Sequence, residues 1–91
     1  MHFYITITHD KKRYRLFVEQ VLWAVNKEQF KVKGKEQDVV FESDRPLWRM
    51  KGIKHRPPTW KLISGDMWNM DLRNTIIKAM QAYLEPPLKN R

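Results

Sequence analysis

The chain has no cysteine, which removes disulfides, thiolate nucleophiles and thiolate metal ligands together. Only three glycines are present, scattered, so neither a GxGxxG nor a GxxxxGK[ST] phosphate loop can be drawn. The three histidines, His2, His9 and His55, show no HxxxH or HExxH spacing, so a metal site has no support. No apolar run approaches the roughly eighteen residues of a membrane span. The start, Met1-His2-Phe3-Tyr4-Ile5, lacks the cationic and long apolar segments of a signal peptide. Acids are scarce too: ten Asp and Glu stand against eighteen Lys and Arg, a net charge of +8. The expectation is a cytoplasmic protein, not an enzyme, with no cofactor, no metal and no membrane contact.

What is there suits one folded domain. Ninety-one residues leave no room for a second core. With 42% hydrophobic and 12% aromatic residues the chain lies on the folding side of the disorder boundary despite its charge. An excess of cations favours anionic partners: nucleic acid, acidic protein or anionic surfaces.

That excess is concentrated. Between Arg45 and Ser64 lie six cations (Arg45, Arg49, Lys51, Lys54, Arg56 and Lys61) and no acid. Trp48 and Trp60 flank the centre of this window, where Gly52 and Pro57-Pro58 supply turn chemistry. The simplest expectation is a turn between two short basic, aromatic strands, Leu47 to Lys51 and Thr59 to Ile63.

Taken in order, Phe3, Ile5 and Ile7 alternate with Tyr4, Thr6 and Thr8, the period of a strand with one buried face. His9-Asp10-Lys11-Lys12 reads as a turn. Tyr14, Leu16 and Val18 then alternate with Arg13, Arg15 and Phe17, giving a hairpin over residues 3 to 18. Residues 11 to 25 carry a competing signal, because Phe17, Val18, Val21, Leu22 and Val25 form a helical stripe. A helix there would put Lys11, Lys12 and Arg13 at the positive end of its dipole, so strand is favoured. Phe30 and Val32, then Val39 and Phe41, make a second hairpin across Gly34-Lys35-Glu36-Gln37, and Ser43-Asp44-Arg45-Pro46 is a further turn. From residue 70 the period becomes helical: Leu72, Ile76, Met80, Tyr83 and Leu84 make an apolar stripe, with Asn69 or Asp71 as cap and Pro86-Pro87 as stop.

These elements predict an α+β fold over residues 1 to 91: an antiparallel β-sheet of four to six strands within residues 3 to 63, one C-terminal α-helix over residues 70 to 85 on one sheet face, and a frayed tail. The other face could curl into a partial barrel or stay partly open with its Lys, Arg and aromatic side chains outward.

Each candidate chemical group has an ordinary structural explanation. His9 and Asp10 are adjacent, so in extended chain they point apart and make a poor base and orienter. Asp66 and Asp71 flank the helix start, where capping and the dipole account for them. Trp48 and Trp60 share strand faces with Met50 and Leu62, so core tryptophans under the helix are favoured over stacking platforms, because a small core needs its large side chains. The unneutralised cations are harder to absorb. They point to nucleic acid, with Arg45, Arg49, Lys51, Lys54, Arg56 and Lys61 on phosphates and help from Lys11, Lys12 and Arg13. The alternative is a protein-interaction or structural adaptor, pairing with a protein partner or as a homodimer through a sheet edge. Tyr4 and Phe17 are among its exposed apolar candidates, and Trp23 and Trp68, the tryptophans least explained by strand and helix faces, are its chosen interface.

The run Arg45-Pro46-Leu47-Trp48-Arg49, then Lys51-Gly52-Ile53-Lys54-His55-Arg56, then Trp60-Lys61 with Gly65 and Asn69, resembles short uncharacterised bacterial proteins, notably of Bacteroidetes. The resemblance covers about Phe30 to Leu84. It implies several strands followed by one helix in a bacterial cytoplasmic protein, and it brings no activity and no site residues.

Overall fold

The computed structural model describes residues 1–34, 37–46, 58–67 and 69–84. The expected strand Leu47 to Lys51, the loop from Gly52, Trp48, His55, Trp68 and the tail after Pro86 lie outside the described residues.

Five strands form one antiparallel meander in the order β1-β2-β3-β4-β5. They are β1 His2–His9, β2 Lys12–Trp23, β3 Glu28–Lys33, β4 Asp38–Ser43 and β5 Trp60–Ser64, and one helix, α1, spans Met70–Leu84. The fold is α+β with the helix against β1, as the periodicities predict.

Local chemistry accounts for each boundary. Asp10 and Lys11 have φ of 52° and 65°, the left-handed pair of a tight two-residue hairpin turn whose twist matches that of the strands. β2 is extended through Trp23, so the helical stripe at residues 11 to 25 does not decide the local structure. What wins is pairing: Phe3 opposes Val18 and Ile5 opposes Leu16 on β1, while Val32 opposes Val18 on β3. A register shift between Gln20 and Leu22 bulges β2 at Val21. Arg45 and Pro46 take helical backbone where a turn is expected. β5 pairs with β4, and Asp44 accepts the Thr59 N–H at 2.8 Å where the returning chain comes beside β4. Asn69 is the helix cap, its Oδ1 accepting the Leu72 N–H at 3.0 Å.

The core lies on one face of the sheet. Phe3, Ile5, Ile7, Val18, Phe30, Val32, Val39 and Phe41 are buried beneath Ile76 and Met80 of α1. The Tyr83 ring lies 4.1 Å from that of Phe3. Trp60 stacks on Phe30 with centroids 6.0 Å apart, so the core reading holds for this tryptophan. At the end of this face Glu28, fully buried, receives Arg45 Nε at 2.5 Å and Nη2 at 2.9 Å, with Gln20 Nε2 at 3.2 Å. Among the described residues no helix is long and apolar enough to cross a membrane.

Candidate nucleic-acid interface

Because strand side chains alternate, what the core leaves is a second face, on which no helix of the described residues lies. On β1 it carries His2, Tyr4, Thr6 and Thr8; on β2, directly opposite, Glu19, Phe17, Arg15 and Arg13. Lys31 and Lys33 follow on β3, and Glu42 and Asp38 on β4. Lys61 closes the row on β5, opposite Glu42.

The rings of this face touch one another. His2 and Tyr4 each lie 5.3 Å from Phe17, the second edge-on, and the Arg15 guanidinium sits over Tyr4 at 4.1 Å. Tyr4 remains 52% exposed. The result is a short aromatic row with a cation at one end, next to Arg13, Lys12 and Lys11 of the hairpin tip.

The charges sort by neighbour. Glu19 lies opposite Lys31, and Asp38 opposite Lys33, where it also accepts the Gly34 N–H at 3.3 Å. Glu42 accepts from Gln29 at 2.9 Å and pairs with Lys61 at 3.5 Å; chiefly through Gln29, its carboxyl is held below the ordinary glutamate range. Arg13 and Arg15 face Thr8 and Thr6 across the strand, so no carboxylate answers them there. Among the described residues the β1–β2 hairpin therefore carries two arginines, Arg13 and Arg15, with no carboxylate opposite them on β1.

Of the six cations singled out in the window from Arg45 to Lys61, Arg45 and Lys61 lie among the described residues. Arg45 does not lie on a surface: it is 4% exposed, and its guanidinium is engaged by Glu28 in the interior. The reason is that Glu28 points into the core from β3 and must be matched there. Lys61 is exposed but shares Glu42. Arg49, Lys51, Lys54 and Arg56 lie outside the described residues, as does Trp68. Trp23 is 56% exposed and borders a cleft with Met1, Gln20, Tyr83 and Leu84, far along β2 from the hairpin tip. Arg15, Lys31 and Lys33 were not singled out. Their signal was present, as the polar alternates of strands whose other residues form the core.

Among the described residues no group of three His, Asp or Glu is placed to hold a metal. Compared with protein-family models, curated proteins and solved structures, the chain has no significant match.

Proposed function

We propose that the protein is a non-catalytic nucleic-acid-binding module of the bacterial cytoplasm, which takes single-stranded RNA or DNA on the open face of its sheet. Bases stack on Phe17 and Tyr4, and Arg13, Arg15, Lys31 and Lys33 contact phosphates. The observation that carries the reading is the contiguous row His2, Phe17, Tyr4 and Arg15 on the sheet face opposite α1. Aromatic side chains on a sheet accept any base, and adjacent cations follow the backbone, which is how sheet-based modules grip single strands. The basic window from Arg45 to Lys61 adds charge to the same protein.

The test is a salt titration of binding to single strands and duplexes. Four phosphate contacts give a slope near −3 on logarithmic axes, a loss of roughly fiftyfold between about 50 and 200 mM salt. Replacing Arg13, Arg15, Lys31 and Lys33 by alanine should flatten that slope. The comparison variant, Arg49→Ala/Lys54→Ala/Arg56→Ala, should change it less. If the window variant abolishes binding and the face variant does not, the interface is the window. No binding at low salt sinks the reading.

A further inference from the structure

β2 is twelve residues long, but its two halves have different neighbours. It pairs with β1 from Lys12 to Glu19 and with β3 only from Val18 to Trp23. The hydrogen bonding of the first half follows from two fixed points. Gln20 donates its N–H to the Met1 carbonyl at 3.0 Å, and the two-residue turn closes on His9 and Lys12. Bonding alternates along an antiparallel pair, so Lys12, Tyr14, Leu16 and Val18 direct their N–H and C=O towards β1. Arg13, Arg15 and Phe17 direct theirs the other way. On that side the last cross-strand pair is Val18 with Val32, which leaves the Arg13 and Arg15 backbone groups and the Phe17 N–H with no strand partner among the described residues.

Beyond Val18 and Val32 the two strands are no longer paired. Gln37, in the β3–β4 turn, donates from Nε2 to the Asp66 carbonyl at 3.1 Å and accepts the Asp66 N–H at 3.2 Å, which ties that turn to the chain leading into α1. Between the parted strands lies an open cavity of about 350 Å³. Tyr14 and Leu16 wall it on one side, Val32 and Val39 on the other, with Leu72 and Ile76 of α1 as the floor.

We infer that this split receives an extended segment of a partner protein, which adds as a strand to the free edge of β2 and whose side chains alternate apolar with acidic. Backbone groups of Arg13, Arg15 and Phe17 supply the pairing. Residues of the incoming strand that face the Tyr14 and Leu16 side enter the cavity and are apolar. The alternate residues come up beside Arg13, Arg15 and Lys33 and are acidic. A second copy of β2 is a poor occupant, since Lys-Arg-Tyr-Arg against itself sets cation on cation. The same charge sign disfavours the window from Arg45 to Lys61. The tail is a poor occupant too, because Pro86 and Pro87 lack the N–H that pairing needs. Among the described residues the outer edge of β1 also has no strand partner, but it has neither the cavity nor the cations.

The experiment uses the full chain and a synthetic peptide of about seven residues, a length typical of strands, alternating aspartate or glutamate with valine or isoleucine. Binding is followed by calorimetry, and backbone amides by hydrogen exchange. In the free protein the Arg13, Arg15 and Phe17 amides should exchange fast while Tyr14, Leu16 and Val18 are protected; the peptide should slow the first set only. The same composition in block order, or the peptide N-methylated on the pairing residues, should bind at least about tenfold more weakly, one lost hydrogen bond being of that order. Arg15→Pro removes an amide that β1 does not use, so the fold should persist, and it should bind more weakly than Arg15→Ala, which removes the same charge. The inference is overturned if the three amides are already protected in the free protein, if N-methylation is without effect, if Arg15→Pro and Arg15→Ala bind alike, or if the peptide protects the Tyr4 and Thr6 amides of β1 instead. None of these readouts requires nucleic acid, so the inference can fail while the open-face reading stands, and the reverse.

Discussion

The two faces of one five-stranded sheet are built from the same strands, residue by residue, yet they share almost no chemistry. Among the described residues the face under α1 is mainly Phe, Ile and Val, with the buried Glu28–Arg45 pair at its end; the other carries aromatic, hydroxyl and charged side chains of both signs. Every strand contributes to both, because its side chains alternate. The lesson is separability. Substitutions on one face should cost stability, and on the other should cost binding.

The largest effects belong to the covered face. Phe41→Ala should lower unfolding free energy by about 3–5 kcal/mol in urea melts, as truncation of a buried aromatic does. Glu28→Ala should cost about as much, roughly 3–5 kcal/mol, because it removes the buried carboxylate that accepts from Arg45 Nε and Nη2. The double variant Glu28→Leu/Arg45→Met should recover most of that loss. If Glu28→Ala is silent, the pair is solvated and the contrast between faces is weaker than drawn.

On the open face the order reverses. Phe17→Ala and Tyr4→Ala should each weaken single-strand binding by roughly five- to a hundredfold, from about 1–3 kcal/mol per stacked base. Unfolding free energy should move by no more than about 1 kcal/mol, since these rings are partly solvated. Equal losses of stability and binding would break the distinction. Arg13→Ala should act more gently, reducing the salt slope by about 0.7, one phosphate on a single strand. Arg45→Met paired with Glu28→Leu should leave that slope unchanged.

The smallest effect is a pH dependence on β4. Glu42 has its pKa lowered in the fold, first by the Gln29 hydrogen bond and then against its own desolvation by Lys61 and Lys27. A lowered carboxylate pKa contributes stability above the unfolded value, near 4.5, that is lost as pH falls through the folded value. Glu42→Gln should therefore lower stability slightly at neutral pH, where that contribution is fully present, and converge on the parent well below pH 4.5, so the acid limb of the profile in urea melts flattens.

Much of the fold is legible in the residues. Phe3-x-Ile5-x-Ile7 can bury only as a strand, and Leu72, Ile76 and Met80 only as one side of a helix, because periods of two and of 3.6 place side chains on one face by geometry alone. Asn69 as cap follows from local hydrogen bonding. The site was less legible. Arg45 reads as one of six surface cations, yet it is paired inside the protein with Glu28, seventeen residues earlier. No local pattern announces that contact. Tyr4 and Phe17 are visible as exposed apolar residues, but that they lie in ring contact beneath Arg15 depends on the pairing register of β1 with β2.

By itself, then, the sequence determined the strand and helix periods, the excess of positive charge and the absence of thiol chemistry, all of which are properties of composition and local spacing. The tertiary structure decided which cations face solvent, which rings meet, and where β2 leaves β3. Those depend on register and on contacts between residues distant in the chain, where Glu28 meets the Arg45 guanidinium in the interior and the pairing of β2 with β3 ends at Val18 and Val32.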